Sequence, residues 1–277
     1  MQHKQRFTNV TLVTPYGEED KDLLIDGDKI VDILNPNENI SDDWKIIDGQ
    51  NNFIFPGMID VLQHGFLNYL YGHAEENCTV DNSKILPSVG VTGFLPSTPC
   101  LPPEKTKTLL NALSNDIDKA KEGARVLGIH SEGPCFALPG AHDPKNLRNP
   151  SLSLAEELLD ACQGKLKALT LAPEMNGSEE FIKRLKKEKI SIHLGHSGAN
   201  PIDVPKFADW GVDAVTHMYD ALPTYPPDDT GVHVLSLTDA LIAETRIALG
   251  VICDGIHVHP QFCLLYTSDA ADDCVCV

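Results

Sequence analysis

Three short segments of the sequence carry side chains that could together bind a catalytic metal ion. They are His130-Ser131-Glu132-Gly133-Pro134, His193-Leu194-Gly195-His196-Ser197 and Thr216-His217-Met218-Tyr219-Asp220-Ala221. Each follows a short apolar run and leads into a loop that contains glycine or proline. A carboxylate and two imidazoles, with a fourth position left for water, form the ligand set of catalytic zinc-type centres. The pattern predicts a divalent cation bound by Glu132, His196 and His217, with Zn²⁺ favoured and Fe²⁺, Co²⁺ and Mn²⁺ open.

The spacing of the histidines separates ligands from other residues. His196 and His217 are 21 residues apart, the length of one helix and one strand, so equivalent positions on neighbouring strands should converge. His193 lies three residues before His196 and, because strand residues alternate between faces, it is expected on the opposite face. We therefore assign His196 as the ligand and leave His193 as either a core histidine or one that supports a ligand.

Two further histidines lie on loops and could contact a substrate. His257 closes the segment Cys253-Asp254-Gly255-Ile256-His257, which follows another apolar strand. From such a loop it could orient a substrate carbonyl or stabilise a developing oxyanion. His142 follows Pro139-Gly140-Ala141 on a long loop and is either a substrate contact or a solvated surface histidine.

The elements that must position these residues form a short β-rich segment and then alternating strands and helices. Residues 7–55 contain β-rich runs, with Asp26-Gly27-Asp28 as a hairpin turn. Later strands are expected at 57–61, 91–95, 125–130, 166–171, 190–194, 214–217 and 248–253, and helices at 104–121, 178–188 and 201–210. Strand–helix repetition implies a parallel sheet. With about seven units and no dinucleotide or phosphate-loop motif, the pattern favours an α/β fold, the (β/α)₈ TIM-type barrel, whose chemistry lies at the carboxyl ends of the strands.

Composition and charge exclude several classes of protein. The 277 residues carry a formal net charge of −18, which argues against nucleic acid or an anionic membrane as partner. No apolar run reaches the roughly 18 residues of a membrane span, and residues 1–6 have no apolar signal core. The eight cysteines are scattered without a C-x-x-C pair, which favours reduced thiols and a cytoplasmic enzyme.

Taken together, five stretches carry a resemblance to a known family. They are Pro56-Gly57-Met58-Ile59-Asp60, His130 to Pro134 with Gly140-Ala141-His142, Gly195-His196-Ser197, Thr216 to Pro223, and Asp254-Gly255-Ile256-His257. In this order and spacing, over roughly residues 10–262, the chain resembles the N-acetylglucosamine-6-phosphate deacetylases of the amidohydrolase superfamily. The resemblance implies a hydrolase that releases acetate from an N-acetyl amino sugar in carbohydrate metabolism.

The resemblance also implies roles for individual residues. Glu132, His196 and His217 would hold the metal, and His257 would position the N-acetyl carbonyl. Members of the family are commonly homodimers and place the barrel beside a small β-sandwich built from both ends of the chain.

Contacts with the sugar follow from the same resemblance. His142, with the backbone around Ala141, would contact the sugar ring. The backbone at Asp220 and Ala221 would approach the phosphate.

The chain departs from the family pattern at three places. Leu62 interrupts the His-x-His that two-metal members carry after the first strand, which favours one metal. Asp220 stands where the family usually has Asn, and residues 225–231 lack the phosphate-binding Arg, so an unphosphorylated sugar or another amide stays open as substrate. Residues 263–277 resemble no family segment, and the general acid/base Asp that should follow the eighth strand is not found.

The domain organisation predicted from these observations has three parts. Residues 1–55 form part of a β-sandwich, 56–262 form the metal-dependent hydrolase barrel with about seven strands, and 263–277 are a non-native tail. A catalytically inactive fragment, lacking the general base and a closed barrel, is therefore a further alternative to the deacetylase.

Overall fold

The computed structural model describes residues 4–73, 77–223, 231–232 and 234–262. The chain separates into two compact units, Met1–Gly57 and Met58–Val277. The tail 263–277 lies outside the described residues, as does most of the stretch 225–231. Every helix in the described part of the chain is too short or too polar to cross a membrane.

The first unit is a mixed β-sheet. Its strands are β1 (Lys4–Thr14), β2 (Gly17–Asp20), β3 (Asp22–Asp26), β4 (Lys29–Leu34) and β5 (Lys45–Ile54). Their order is β2-β1-β3-β4, and β5 pairs in parallel with β1. Val10, Leu12 and Leu23 form its small core. Beside them the guanidinium of Arg6 makes a buried ion pair with Asp22 at 2.5 Å.

The hairpin predicted in this unit is confirmed, whereas two of its strands are not predicted. Asp26 pairs with Lys29 across antiparallel β3 and β4. Gly27 in the turn has φ +65°, a conformation that glycine adopts without steric cost. The strands β2 and β5 are missed because their mostly exposed sequences, GEED and KIIDGQNNFI, show no apolar–polar alternation.

The second unit contains the remaining elements. Its strands are β6 (Met58–Gln63), β7 (Gly65–Phe66), β8 (Tyr69–Leu70), β9 (Val91–Thr98), β10 (Arg125–Val126), β11 (Ile129–Glu132), β12 (Leu166–Leu171), β13 (Ser191–Leu194), β14 (Val212–Val215) and β15 (Ala248–Leu249). Its helices are α1 (Cys78–Ile85), α2 (Pro103–Ile117), α3 (Leu152–Cys162), α4 (Ser178–Lys186), α5 (Val204–Trp210) and α6 (Leu237–Ala243).

The main sheet of this unit is the predicted TIM-type barrel, present as seven parallel strand positions. The parallel pairs run β6-β9-β11-β12-β13-β14-β15, and β10 joins β9 just ahead of β11. Because all strands run the same way, their carboxyl ends lie at one edge of the sheet. In the described residues β6 and β15 end the sheet and line a cavity of about 340 Å³, so the barrel is open there.

Local sequence explains where the helices form. The leucine face predicted for α2 is buried as Leu109, Leu110 and Leu113. The Ser151 side chain caps α3 by accepting from the Leu154 amide, and Ser236 forms a capping box at the start of α6. Helices α1, α3 and α6 are absent from the sequence-based expectation.

Two predicted strands differ from those observed. The run 125–130 is split into β10 and β11 at Gly128, whose φ is +151° and whose added Cβ would lie 2.2 Å from Cγ of Lys167. The run 248–253 reduces to the two residues of β15, because β15 has a single neighbour, β14, among the described strands.

Candidate metal centre

The three predicted ligands lie at the carboxyl ends of three strands. Glu132 is the last residue of β11, while His196 and His217 each come two residues after a strand, β13 and β14 respectively. Both histidines have left-handed backbone conformations, with φ +52° and +38°. These conformations turn the chain away from the strand direction, which is why simple alternation does not determine where either side chain lies.

The donor atoms of the three residues converge. Oε1 of Glu132 lies 3.2 Å from Nε2 of His217 and 3.5 Å from Nε2 of His196, and the two Nε2 atoms are 3.1 Å apart. A tetrahedral Zn²⁺ with bonds of about 2.0–2.1 Å separates its ligand atoms by about 3.3 Å. The observed triangle fits such an ion. All three side chains are nearly buried, with exposures of 3%, 5% and 9% for Glu132, His196 and His217.

The loop after β11 holds His196 on several sides. Nδ1 of His196 donates to the carbonyl oxygen of Leu138 at 3.0 Å, which leaves the Nε2 lone pair for a metal. The amides of Ala137 and Leu138 donate to the His196 carbonyl at 3.1 and 2.9 Å. The Phe136 ring stacks on the imidazole with centroids 4.1 Å apart. The carboxylate ligand and this imidazole ligand are therefore positioned by one continuous segment.

His217 has a different set of supports. Its Nδ1 is buried and has no hydrogen-bond partner among the described residues. Its position depends on the backbone, because the Thr216 amide donates to Leu194 O at 2.8 Å and the Met218 amide donates to Gly250 O at 2.7 Å. Burial acts to lower the pKa of His217, but the hydrogen bond and charge of Glu132 outweigh it and raise that pKa.

The second oxygen of Glu132 contacts two more histidines. Oε2 lies 3.2 Å from Nε2 of His64 and 3.3 Å from Nε2 of His142. Burial acts to raise the pKa of the Glu132 carboxyl, but hydrogen bonds from the surrounding histidines hold it well below its ordinary value. The carboxylate is thus ionised and already shared among imidazoles.

His64 is a site residue that the sequence analysis misses. It follows β6 as His196 and His217 follow their strands, and its Nδ1 lies 3.1 Å from the carbonyl oxygen of Ser97. Burial acts to lower its pKa, but the hydrogen bond and charge of Glu132 raise it overall. Its position at a strand end is the one local signal in the sequence, because Leu62 breaks the His-x-His pattern that would mark it.

His193 lies away from the converging donor atoms. Its ring packs edge-on against His130 with centroids 4.9 Å apart, and burial lowers its pKa to about 3. Of the alternatives left open by the sequence, the structure places it among buried interior residues.

A cavity of about 480 Å³ adjoins the ligand triangle. Its lining includes every residue named as a site residue from the sequence: Glu132, Ala141, His142, His196, His217, Asp220, Ala221 and His257. Leu62, His64, Pro99, Gly140 and Ile252 complete the lining. The cavity is large enough for a small-molecule substrate.

His257 is paired at the mouth of this cavity. Its Nδ1 donates to Oδ2 of Asp254 at 2.7 Å, and its amide and that of Ile256 donate to Oδ1 at 2.8 Å. The hydrogen bond from the His257 side chain is the largest cause that lowers the pKa of Asp254 to about 2. The pairing leaves Nε2 of His257 available to a ligand.

Asp220 and Ala221 form the turn that follows His217. The Asp220 amide donates to the His217 carbonyl at 3.0 Å, and Ala221 has φ +51°. Oδ2 of Asp220 is buried without a hydrogen-bond partner in the described structure. Burial raises the pKa of this carboxyl, although the nearby His217 and His257 act in the opposite direction.

No protein-family model matches the chain, but it is similar to several curated proteins. The chain is 30% identical over 267 residues to the N-acetylglucosamine-6-phosphate deacetylase of Danio rerio, covering 92% of this chain and 65% of that protein. It is 32% identical over 220 residues to the Bacillus subtilis enzyme of the same name, covering 76% of this chain and 53% of the relative. The chain thus spans about two thirds or less of the length of these curated relatives.

Solved structures give the same result. The N-acetylglucosamine-6-phosphate deacetylase from Pasteurella multocida superposes with a TM-score of 0.85 at 26% identity, covering 99% of this chain and 71% of that one. The enzyme of the same name from Thermotoga maritima superposes with a TM-score of 0.79 at 30% identity, covering 99% of this chain and 70% of that one. The chain therefore belongs to the N-acetylglucosamine-6-phosphate deacetylase family.

Proposed function

We propose that this protein hydrolyses the N-acetyl group of N-acetylglucosamine 6-phosphate, giving glucosamine 6-phosphate and acetate. One observation carries the proposal: a buried carboxylate oxygen and two imidazole nitrogens lie 3.1–3.5 Å apart beside a substrate-sized cavity. The substrate is inferred from the names of the relatives. We further propose that the enzyme is cytoplasmic and homodimeric.

Glu132, His196 and His217 would hold one divalent ion, for which Zn²⁺ is the best match to a carboxylate and two imidazoles. When bound, such an ion would supply Lewis-acid chemistry and would make a water molecule a better nucleophile near neutral pH. Glu132 is suited to this role because its surroundings keep it ionised, and His196 because Leu138 fixes its tautomer.

The other cavity residues would bind and orient the substrate. With Nδ1 of His257 donating to the Asp254 carboxylate, His257 in its imidazolium form would donate from Nε2 to the acetyl carbonyl oxygen and stabilise negative charge on it. His142 and the backbone at Ala141 would contact the sugar ring. The backbone around Asp220 and Ala221 would lie near the substituent at the sugar's 6-position.

An unphosphorylated N-acetyl amino sugar is a second candidate substrate. In the described part of the chain the cavity is lined by no Lys or Arg, and the Asp220 carboxyl lies in its wall. A phosphate 4 Å from one ionised carboxylate would be repelled by about 1–4 kcal/mol, depending on screening. The ratio of kcat/KM for N-acetylglucosamine with and without the 6-phosphate distinguishes the two candidates.

Acetate release by the purified 277-residue chain, loaded with Zn²⁺, tests the proposal. We expect slow, metal-dependent release, because the family's general acid/base Asp is not found in this sequence, and we expect a chelator or Glu132→Gln to abolish it. Glu188→Gln, at a half-exposed position on the protein surface, is the matched control and should retain wild-type activity. A folded, metal-loaded chain that releases no acetate from either sugar would instead support the inactive-fragment alternative.

A further inference from the structure

A line of buried polar side chains crosses the barrel interior next to the ligand triangle. We name it the polar belt: His130, Thr170 and Thr216. Oγ1 of Thr170 lies 2.7 Å from Nε2 of His130 and 2.7 Å from Oγ1 of Thr216. At its other end, Nδ1 of His130 donates to the carbonyl oxygen of Val61 on β6 at 2.6 Å. The three side chains belong to residues that are 0–3% exposed.

Each member of the belt lies close in sequence or register to a metal ligand. His130 is two residues before Glu132 on β11, so both side chains lie on the same face of the strand. Thr170 on β12 is the direct register partner of Glu132. Thr216 immediately precedes His217.

The belt joins strands that the sheet itself keeps apart. β12 and β13 lie between β11, which carries Glu132, and β14, which leads to His217. Backbone pairing therefore sets the distance between these two ligands only through three successive ladders. The belt connects β11 to the exit of β14 through the single hydroxyl of Thr170.

Stability alone does not explain why polar side chains occupy these positions. The interior of a (β/α)₈ barrel is ordinarily filled by branched apolar side chains, and valine has nearly the same shape as threonine. A buried hydrogen bond adds only about 0.5–1.5 kcal/mol net, whereas an unpaired buried polar group costs about 1–3 kcal/mol. What a fully paired network contributes beyond stability is a fixed geometry.

We propose that Thr170 and Thr216 are positioning residues that set the separation of Glu132 and His217 through the polar belt. The inference rests on the metal centre of the proposed function. It implies that the Thr170 hydroxyl contributes to the affinity for the metal although it touches no metal ligand atom. Removal of a group that hydrogen-bonds a ligand directly typically weakens metal binding by about 10–100-fold, and the belt acts one contact further out, so the lower end of that range is expected.

Co²⁺ binding to the purified chain tests this role without substrate, because Co²⁺ absorption reports both occupancy and ligand geometry. Thr170→Val, which replaces the hydroxyl by a methyl group, should weaken binding by about tenfold or more and change the Co²⁺ spectrum. Thr170→Ser keeps the hydroxyl and should restore both towards wild type. Thr106→Val is the matched control, since it removes a buried hydroxyl on α2, outside the belt, that donates to the carbonyl oxygen of Leu101 just before the helix.

A second variant and a comparison of the two assays distinguish the possible results. Thr216→Val breaks the same link from the other side and substitutes for Thr170→Val if the latter does not fold by thermal melting. Wild-type affinity and an unchanged spectrum in a folded Val variant would overturn the belt alone. A wild-type chain that binds no Co²⁺ would overturn the metal centre and the belt together, whereas failure to release acetate with intact Co²⁺ binding would affect only the proposed reaction.

Discussion

Replacing Gly140 by alanine tests whether the loop after β11 positions the metal ligand His196. Gly140 has φ +54°, and a Cβ built there would lie 2.8 Å from Cε1 and 3.0 Å from Nδ1 of His196. It would also lie 3.5 Å from Cβ of Ala221, an ordinary contact. The added methyl therefore meets the imidazole ring and little else.

The size of the effect follows from these distances. Non-bonded carbon atoms rest about 3.5–4.0 Å apart, so the ring must move by about 0.7 Å. Metal–ligand distances tolerate changes of only about 0.2 Å. We therefore expect Gly140→Ala to weaken metal binding by about 10–100-fold, the range found when a ligand's supporting contacts are lost. The left-handed backbone adds about 1–2 kcal/mol of destabilisation for any residue with a Cβ.

Gly164→Ala separates the clash from the backbone strain. Gly164 also has a positive φ, +77°, but its added Cβ would have nothing within 4 Å. Both variants carry the backbone strain, so Gly140→Ala, which adds the clash, should lose more unfolding free energy in urea than Gly164→Ala, and only Gly140→Ala should bind Zn²⁺ more weakly in a chelator competition. Equal Zn²⁺ affinities for the two variants would show that His196 is not held by close contact with this loop.

Further predictions concern the pH dependence of stability, the number of metal ions bound and the ion pair in the first unit. The metal-free chain should lose thermal stability as pH falls below about 4.5, because the lowered pKa of Glu132 stabilises the fold only while its carboxyl is ionised. It should also lose stability as pH rises above about 6.5, because the raised pKa of His64 stabilises the fold only while the imidazole is protonated. A melting temperature that does not change below pH 4.5 or above pH 6.5 would contradict both expectations. Leu62→His should raise the bound metal from one to two ions by elemental analysis, since positions 62 and 64 both line the cavity beside Glu132, while Leu62→Met should leave it at one. Asp22→Ala should destabilise the first unit by about 3–5 kcal/mol in chemical unfolding, because it leaves the buried charge of Arg6 without its ion-pair partner. A loss below about 1 kcal/mol would show that water reaches the pair.

The sequence predicts the barrel and its candidate ligands because both depend on short-range patterns. Apolar runs that end in Gly- or Pro-containing loops mark the strand exits, and parallel strands bring their exits to one edge. Glu132, His196 and His217 could therefore be grouped without knowing the path of the chain between them. That they bind a metal stays a prediction.

What the sequence does not reveal depends on long-range contacts. The contact of His64 with Glu132 joins residues 68 positions apart and is marked by no local motif. The contacts of Phe136 and Leu138 with His196 arise because the loop after β11 folds over the exit of β13. Short or exposed elements such as β2 and β15 lack the apolar periodicity on which sequence analysis depends.

The three ligands differ in how firmly the protein holds them, and this difference locates the weak point of the site. His196 is held by a stacked ring, a ring-nitrogen hydrogen bond and two backbone hydrogen bonds from one loop. His217 is held through its neighbours in the chain, by backbone contacts to Leu194 and to Gly250, just beyond the two-residue strand β15. Because β15 lies at the end of the described sheet, the geometry of His217 should be the first part of the centre to change when the barrel is perturbed. A direct tie from the β14 exit to the interior of β11, through Thr216 and Thr170, supplies the constraint that this edge strand by itself does not.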